Sequence, residues 1–268
     1  TMLKKAGVLF YSMNHARDIA KWAPSARQMS EPDLWISISP IISTEIRKWG
    51  WHNPLTEISL PTHPRFLEIP ASVRRDFRMK YHIPESAFVM STVGIFSHHK
   101  NQRGAITIFQ QIKQFIQNAM LLLVGSFADN LKADWKPIIE AAQADKDILI
   151  LDETDDMQGV YAASDLYLHP SHAEVVCTTV REAAFAGLPV VASDIEGNRV
   201  AFGGSPLLML SREQDGHDFV NAIGFLYQSP VERKKYAVAF KAWVQKVYNL
   251  SRYMAQMDRI YSGVGHKS

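Results

Sequence analysis

The chain has 268 residues, 47% of them hydrophobic and 21% charged, with a formal net charge of +2; that is globular composition, enough for one large or two small domains, and too balanced in charge to point to a nucleic-acid or membrane partner. A single cysteine, Cys177, excludes an internal disulfide and fits a reducing compartment. No apolar run approaches the ~20 residues of a membrane span, and TMLKKAGVLFYSMNHARDIA lacks the apolar heart of a secretory leader, so a soluble, cytoplasmic protein is expected.

In chain order, AGVLFYS and DLWISISP read as strands separated by the helix-like ARDIAKWAPSARQM, and ISTEIRKWGW reads as a second helix. NPLTEISLPTHPRFLEIPASV follows, with Pro54, Pro61, Pro64 and Pro70 and no long period; it reads as a linker or crossover. From Ala87 the pattern becomes regular. AFVMSTVGIF, AMLLLVGSF, DILILD, DLYLHP, PVVASD and PLLML are strand candidates, alternating with helix candidates over residues 102–117, 131–144, 157–163 and 178–186. The strands are continuous apolar runs, as in a parallel sheet covered on both faces. Alternation at this spacing predicts an α/β, Rossmann-like doubly wound domain, with its ligand site at the strand carboxyl ends. VERKKYAVAFKAWVQKVYNL and SRYMAQMDRIYSGV read as two closing helices, the second capped by Ser251.

The loops after the strands are therefore where chemistry is expected. GIFSHHKNQRG places Lys100 and Arg103 at a helix entrance, either as a solvated basic loop or as a phosphate cradle, since helix amino termini favour anions. Neither a Walker loop nor GxGxxG occurs, which disfavours a dinucleotide enzyme. Gly125 in VGSFAD permits close approach of a ligand or another backbone, or simply turns the chain. In LHPSHAEVVCTTVREAAFAGLPVV, Thr178 or Thr179 can cap a helix that Gly187 ends. Glu174 then lies over the sheet edge and Glu182 about one turn into the helix, with the amides of Val176, Cys177 and Thr178 at its start. Many helical glutamates are simply solvated. This helix, however, is nearly free of other polar residues, so a carboxylate in it needs a partner; a vicinal diol such as a ribose can donate two hydrogen bonds to it, whereas the sequence-adjacent Arg181 faces elsewhere.

HPSHAEVVCTTVREAAFAGLPVVASDIEGN resembles the Glu-x7-Glu signature of retaining GT-B glycosyltransferases of the glycosyltransferase family four (group 1) type. Pro170-Ser171, Glu174, Glu182-Ala183, Gly187-Leu188-Pro189-Val190 and Gly197 carry the pattern, VGIFSHHKNQ resembles the family's first phosphate loop, and LLLVGS and YAASDLYLHPS fall in family order. The resemblance spans roughly residues 87–262. It implies a nucleotide-sugar donor, UDP- or GDP-sugar, bound by Lys100 (diphosphate), Glu182 (ribose), Glu174 (donor sugar, the catalytic candidate), the amides of Val176, Cys177 and Thr178, and Gly125. It also implies retention of configuration and neither cofactor nor metal; ten scattered histidines and one cysteine make no zinc pattern. The chain departs from the family at Ile95, where an arginine is usual and for which Arg103 is the candidate replacement, and at Val175-Val176-Cys177, where the family has Gly-Phe-Gly. Cys177 is expected to fill space rather than act as a nucleophile.

The domain reading that follows is a remnant or shortened acceptor-side domain with crossover over residues 1–86, a donor domain over 87–248, and a helix over 249–268 returning to the amino-terminal part. His15 is expected to be a surface histidine. The expected acceptor is a glycan or a lipid-linked glycan, as in polysaccharide biosynthesis, with peripheral association at the inner membrane face. The alternatives are an accessory nucleotide-sugar-binding subunit acting with a partner, and a GT-B nucleotide-sugar epimerase.

Overall fold

The computed structural model describes residues 6–8, 34–52, 54–127, 132–206, 208–210 and 216–265. Two parallel sheets organise them. The smaller joins β1 (Ala6–Val8), β2 (Leu34–Ser37) and β3 (Leu55–Glu57) in that order, and helix α1 (Pro40–Lys48) follows β2. After a 3-10 turn at Pro64–Phe66 and helix α2 (Ala71–Lys80), the chain enters the larger sheet. Its strands are β4 (Phe88–Val93), β5 (Ala119–Val124), β6 (Ile148–Leu151), β7 (Leu166–His169), β8 (Val190–Ser193) and β9 (Leu208–Leu210), connected by α3 (Gln102–Ile112), α4 (Lys132–Gln143), α5 (Met157–Ala163), α6 (Thr178–Ala186) and α7 (Glu196–Phe202). Helices α8 (His217–Gln228), α9 (Pro230–Val247) and α10 (Leu250–Gly265) close the chain.

The larger sheet runs β6-β5-β4-β7-β8-β9, every pair parallel. Strand order therefore reverses between β4 and β7, and in a doubly wound sheet the crevice at that switch point is where ligands bind. All six residues of β4 and of β5 are buried, because their side chains alternate between two apolar layers. Val89, Val93, Leu122 and Val124 join the layer holding Phe77, Val160, Val180 and Phe240; Phe88, Met90, Leu121 and Leu123 join the one holding Ile108, Phe109, Trp135 and Phe219. This is the expected α/β architecture.

Several local expectations change. The proline-rich stretch holds β3, and the residues after it, Phe66 and Phe77, are buried in the larger sheet's core; buried aromatics here outweigh the breaker composition. Helix α2 is pinned by Arg78, whose guanidinium donates to the Ala163, Pro84, Glu85 and Ala87 carbonyls and to Asp165 Oδ2. Helix α10 is capped by Asn249, whose Oδ1 accepts from the Arg252 amide at 2.7 Å, and not by Ser251, which lies inside its first turn. Neither Thr178 nor Thr179 caps α6: the cap position is Cys177, in the left-handed region at φ 48°. The helix-like segment 16–29 and His15 lie outside the described residues.

The two sheets meet through side chains. Val175 packs with Trp35, Ile38, Ile42, Ile46 and Trp51, and Ser39 Oγ donates to the Val175 carbonyl at 3.0 Å. On the other side of the small sheet, Ile36 and Ile58 pack with Met257 of α10.

Candidate active site

Lys100 and Glu174 come from the loops after β4 and β7, the two strands that flank the switch point, and they meet there: Lys100 Nζ lies 2.7 Å from Glu174 Oε1. The first loop is shaped from within. Buried Gln102 accepts from the Ser97 amide and donates to the Gly94 and Ile95 carbonyls, and Asn101, at φ 55°, caps α3 by accepting from the Gly104 amide. Asn101 also donates to the Pro170 carbonyl at 3.0 Å, which ties the Lys100 loop to the Glu174 loop. The Lys100 stem runs over Gly94, where an added Cβ would stand 3.2 Å from its Cδ. Gly125 has a structural reason of its own: a Cβ there would lie 2.1 Å from the Gly94 carbonyl oxygen. Of the two kinds of close approach open to Gly125, the one present is that of another backbone.

The second loop is held as closely. A Cβ on Gly197 would lie 2.2 Å from the Glu174 carbonyl oxygen, so α7 starts directly against the carboxylate's backbone. Cys177 is buried, and its thiol donates to Asn198 Oδ1 at 3.1 Å; it makes no capping bond to α6. Burial pushes the Cys177 thiol well above its ordinary value, which suits a space-filling side chain and not a nucleophile. No cap from Cys177 engages the amides at the start of α6, where the helix dipole favours an anion.

Electrostatics divide the two glutamates. Burial pushes the Glu174 carboxyl up, but the Lys100 ammonium and His169 outweigh it, and the group is held below its ordinary value. It is a carboxylate at neutral pH. His169 closes the β7 end, its Nε2 3.3 Å from Glu174 Oε1 without hydrogen-bond geometry; burial takes its pKa down to about 4 against the pull of Glu174, so the ring is neutral. Glu182 is pushed up by burial, opposed chiefly by a hydrogen bond from the Tyr161 hydroxyl, which donates to Oε2 at 2.9 Å. The partner that this carboxylate needs is thus supplied in part from within the fold.

The remaining candidates are distributed around this centre. Val176 and Thr178 flank Cys177 at the α6 start, and Thr178 Oγ1 accepts from Arg181 Nη2 at 3.4 Å. Arg103 carries its guanidinium over the Trp135 ring of α4, 5.1 Å from the centroid, so its charge lies on the α4 side of its own helix. Arg181 faces away from Glu182, as expected, and donates to the Leu60 carbonyl at 2.7 Å. Together with Ile38, Ser39, Val175, Val176 and Tyr248 it lines a cleft of about 260 Å³ between the two sheets.

Two contributors went unread in the sequence. Tyr161 stands in a helical run of small residues, where nothing marks its hydroxyl as facing a carboxylate 21 positions later. His169 looks like a strand residue before a proline. The fold also brings ligand atoms of His169, Glu174 and Cys177 within 4.8 Å of one another, a grouping the scattered histidines did not suggest. Glu174 Oε1 already bears the Lys100 ammonium, however, and a cation there would be repelled by it.

Residues 73–241 match the glycosyl transferases group 1 family. The chain belongs to that family. The matched range covers the larger sheet and the loops that carry Lys100 and Glu174. The trehalose synthase of Pyrococcus horikoshii is 25% identical over 188 residues, covering 66% of this chain and 44% of that protein, so the chain spans less than half the length of that relative. Among solved structures, Anabaena HepE in complex with UDP and glucose superposes with a TM-score of 0.79 at 17% identity, over 96% of this chain and 71% of HepE. Sucrose-phosphate synthase from Thermosynechococcus elongatus gives 0.74 at 20% identity, over 96% and 65%. At such identities these structures establish the fold, which is of the GT-B type. No helix among the described residues of this group 1 family member is long and apolar enough to cross a membrane.

Proposed function

We propose that the chain provides the donor site of a retaining, metal-independent glycosyltransferase that moves a sugar from a UDP- or GDP-sugar to a glycan or lipid-linked acceptor. The observation that carries this reading is the Lys100–Glu174 pair, a half-buried cation and a buried carboxylate presented from two loops at the switch point. A nucleotide sugar offers both complements: its diphosphate for the ammonium, and its sugar hydroxyls for the carboxylate. Binding exchanges the internal pair for two external ones. In the reaction the anomeric C–O bond to the diphosphate breaks, its electron pair leaving with the nucleoside diphosphate. The anomeric carbon bonds to an acceptor oxygen, whose hydroxyl proton is released. Lys100 and the α6 amides stabilise the departing charge, Glu174 orients the donor sugar beside neutral His169, and Glu182 accepts from the ribose. The Anabaena neighbour, in complex with UDP and glucose, supports a nucleotide-sugar donor. The proposed setting is polysaccharide assembly in the cytoplasm, at the inner membrane face where the acceptor is lipid-linked.

A second reading is favoured by one observation: Val175 and Cys177, at the two positions where the family resemblance implies glycine, are buried, and Val175 packs with residues of the small sheet. A loop so filled suits an accessory subunit that binds a nucleotide sugar and relies on a partner for transfer. Calorimetric titration of UDP, GDP and ADP into the chain, beside Glu182→Ala, tests the donor site. One nucleotide binding, and its loss in a folded variant, supports it; none binding at millimolar concentration overturns it. Release of nucleoside diphosphate from the matching nucleotide sugar, with and without candidate acceptors, then separates transferase from accessory subunit.

A further inference from the structure

The Tyr161 hydroxyl has one proton to donate and two acceptors in view, Glu182 Oε2 at 2.9 Å and the Thr179 carbonyl at 3.5 Å. The nearer and charged acceptor takes it. The ring that carries this hydroxyl is buried, set edge-on against Phe66 at 5.5 Å and Tyr167 at 6.0 Å. Such a ring is held in one orientation by packing, so its hydroxyl is a fixed point in space. Glu182 by contrast is only partly buried and on a flexible stem. Its Oε1 has no hydrogen-bond partner among the described residues, and a carboxylate oxygen pair can accept about four bonds. One oxygen is therefore anchored and the other left available.

We propose that Tyr161 is a positioning residue that locks the Glu182 carboxylate with its open oxygen toward the bound nucleotide, and so gives the site its preference for ribose over deoxyribose. This rests on the reading of Glu182 as the ribose acceptor. An unanchored glutamate would still accept a hydrogen bond, but it would first lose rotamer freedom on binding, and it would gain less from the second hydroxyl of a diol. Removing the anchor should therefore weaken ribonucleotides more than the 2′-deoxy and 3′-deoxy forms, which offer Glu182 one hydroxyl instead of two.

The test is titration of the full chain with UDP, GDP and ADP and with the 2′-deoxy and 3′-deoxy forms of whichever binds, using wild type, Tyr161→Phe, Tyr167→Phe, Glu182→Gln and the double variant Tyr161→Phe with Glu182→Gln. Tyr161→Phe keeps the packed ring, and Tyr167→Phe removes a neighbouring buried hydroxyl that meets the Val93 carbonyl, at 3.4 Å, and the Thr179 side chain, with no hydrogen bond to Glu182. The wild-type ratio of ribo to deoxy affinity should fall about tenfold in Tyr161→Phe, the scale of one hydrogen bond to a charged group, and should hold in Tyr167→Phe. Tyr161→Phe should add nothing further on top of Glu182→Gln, since it acts through that residue. Discrimination retained in Tyr161→Phe overturns the positioning role while leaving the donor site intact. An equal fall in Tyr167→Phe also overturns it, as a packing effect. No nucleotide binding to wild type overturns the donor site and this inference together.

Discussion

The two ends of strand β7 each carry a cation–carboxylate pair that is at least half-buried, and they are built differently. At its amino end, Asp165 accepts from Arg74 and Arg78 and from the Val89 amide, while the two arginines spend their other donors on carbonyls of Ala162, Ala163, Ser164, Pro84, Glu85 and Ala87. At its carboxyl end, Glu174 has Lys100 at 2.7 Å and the Ser171 hydroxyl beside it, but His169 Nε2 is buried there with no hydrogen-bond partner among the described residues. Buried polar groups are ordinarily satisfied. A network closed on itself ties the layers together; one left partly open at a switch point is fitted to a ligand. Charge and burial alone do not tell the two apart, and the hydrogen-bond inventory does.

The largest effect is expected at the closed, amino-terminal end of β7, from Arg78→Met. It takes one donor from Asp165 and from each of four carbonyls, and should destabilise by about 3–5 kcal/mol in urea denaturation. Next in size is the pH dependence at the carboxyl end. His169 titrates near 6.5 when unfolded and about 4 when folded, so between those values the unfolded chain holds the extra proton and stability falls as pH falls. The loss approaches about 3 kcal/mol at the acid end, and His169→Asn should remove that slope in pH-stepped melts. Glu174, held low, loses its own contribution only as pH drops through the acid carboxylate range. Lys100→Met should then cost nucleoside diphosphate affinity about 10–100-fold, whereas Glu174→Gln should spare the nucleotide and weaken the nucleotide sugar; calorimetry with both ligands reads the split. Smallest is Cys177→Gly. It relieves a left-handed backbone and gives up the Asn198 contact, and the two should leave stability within about 1 kcal/mol of wild type, as thermal unfolding will report.

Much of this was legible because it is local. The mostly apolar run from Phe88 to Val93 and the continuous one from Ala119 to Val124, alternating with helical segments, read as strands covered on both faces, and Gly187 before Pro189 stops α6 where the left-handed turn requires it. Lys100, Glu174 and Glu182 could be singled out because loop position and buried surroundings are visible along the chain. Elements whose reasons lie elsewhere stayed hidden. The strand β3 is short and set among prolines, and it exists because β2 offers an edge to pair with. Helix α2 has few apolar residues and owes its place to Arg78.

The chain alone determined the alternation of strand and helix, and with it the sheet, the switch point and the loops that face it, since hydrophobic periodicity is a property of neighbours in sequence. Which charges are already answered is settled by folding. Lys100 with Glu174 and Tyr161 with Glu182 lie 74 and 21 positions apart, and a hydrogen bond depends on distance in space, which the chain acquires only by folding.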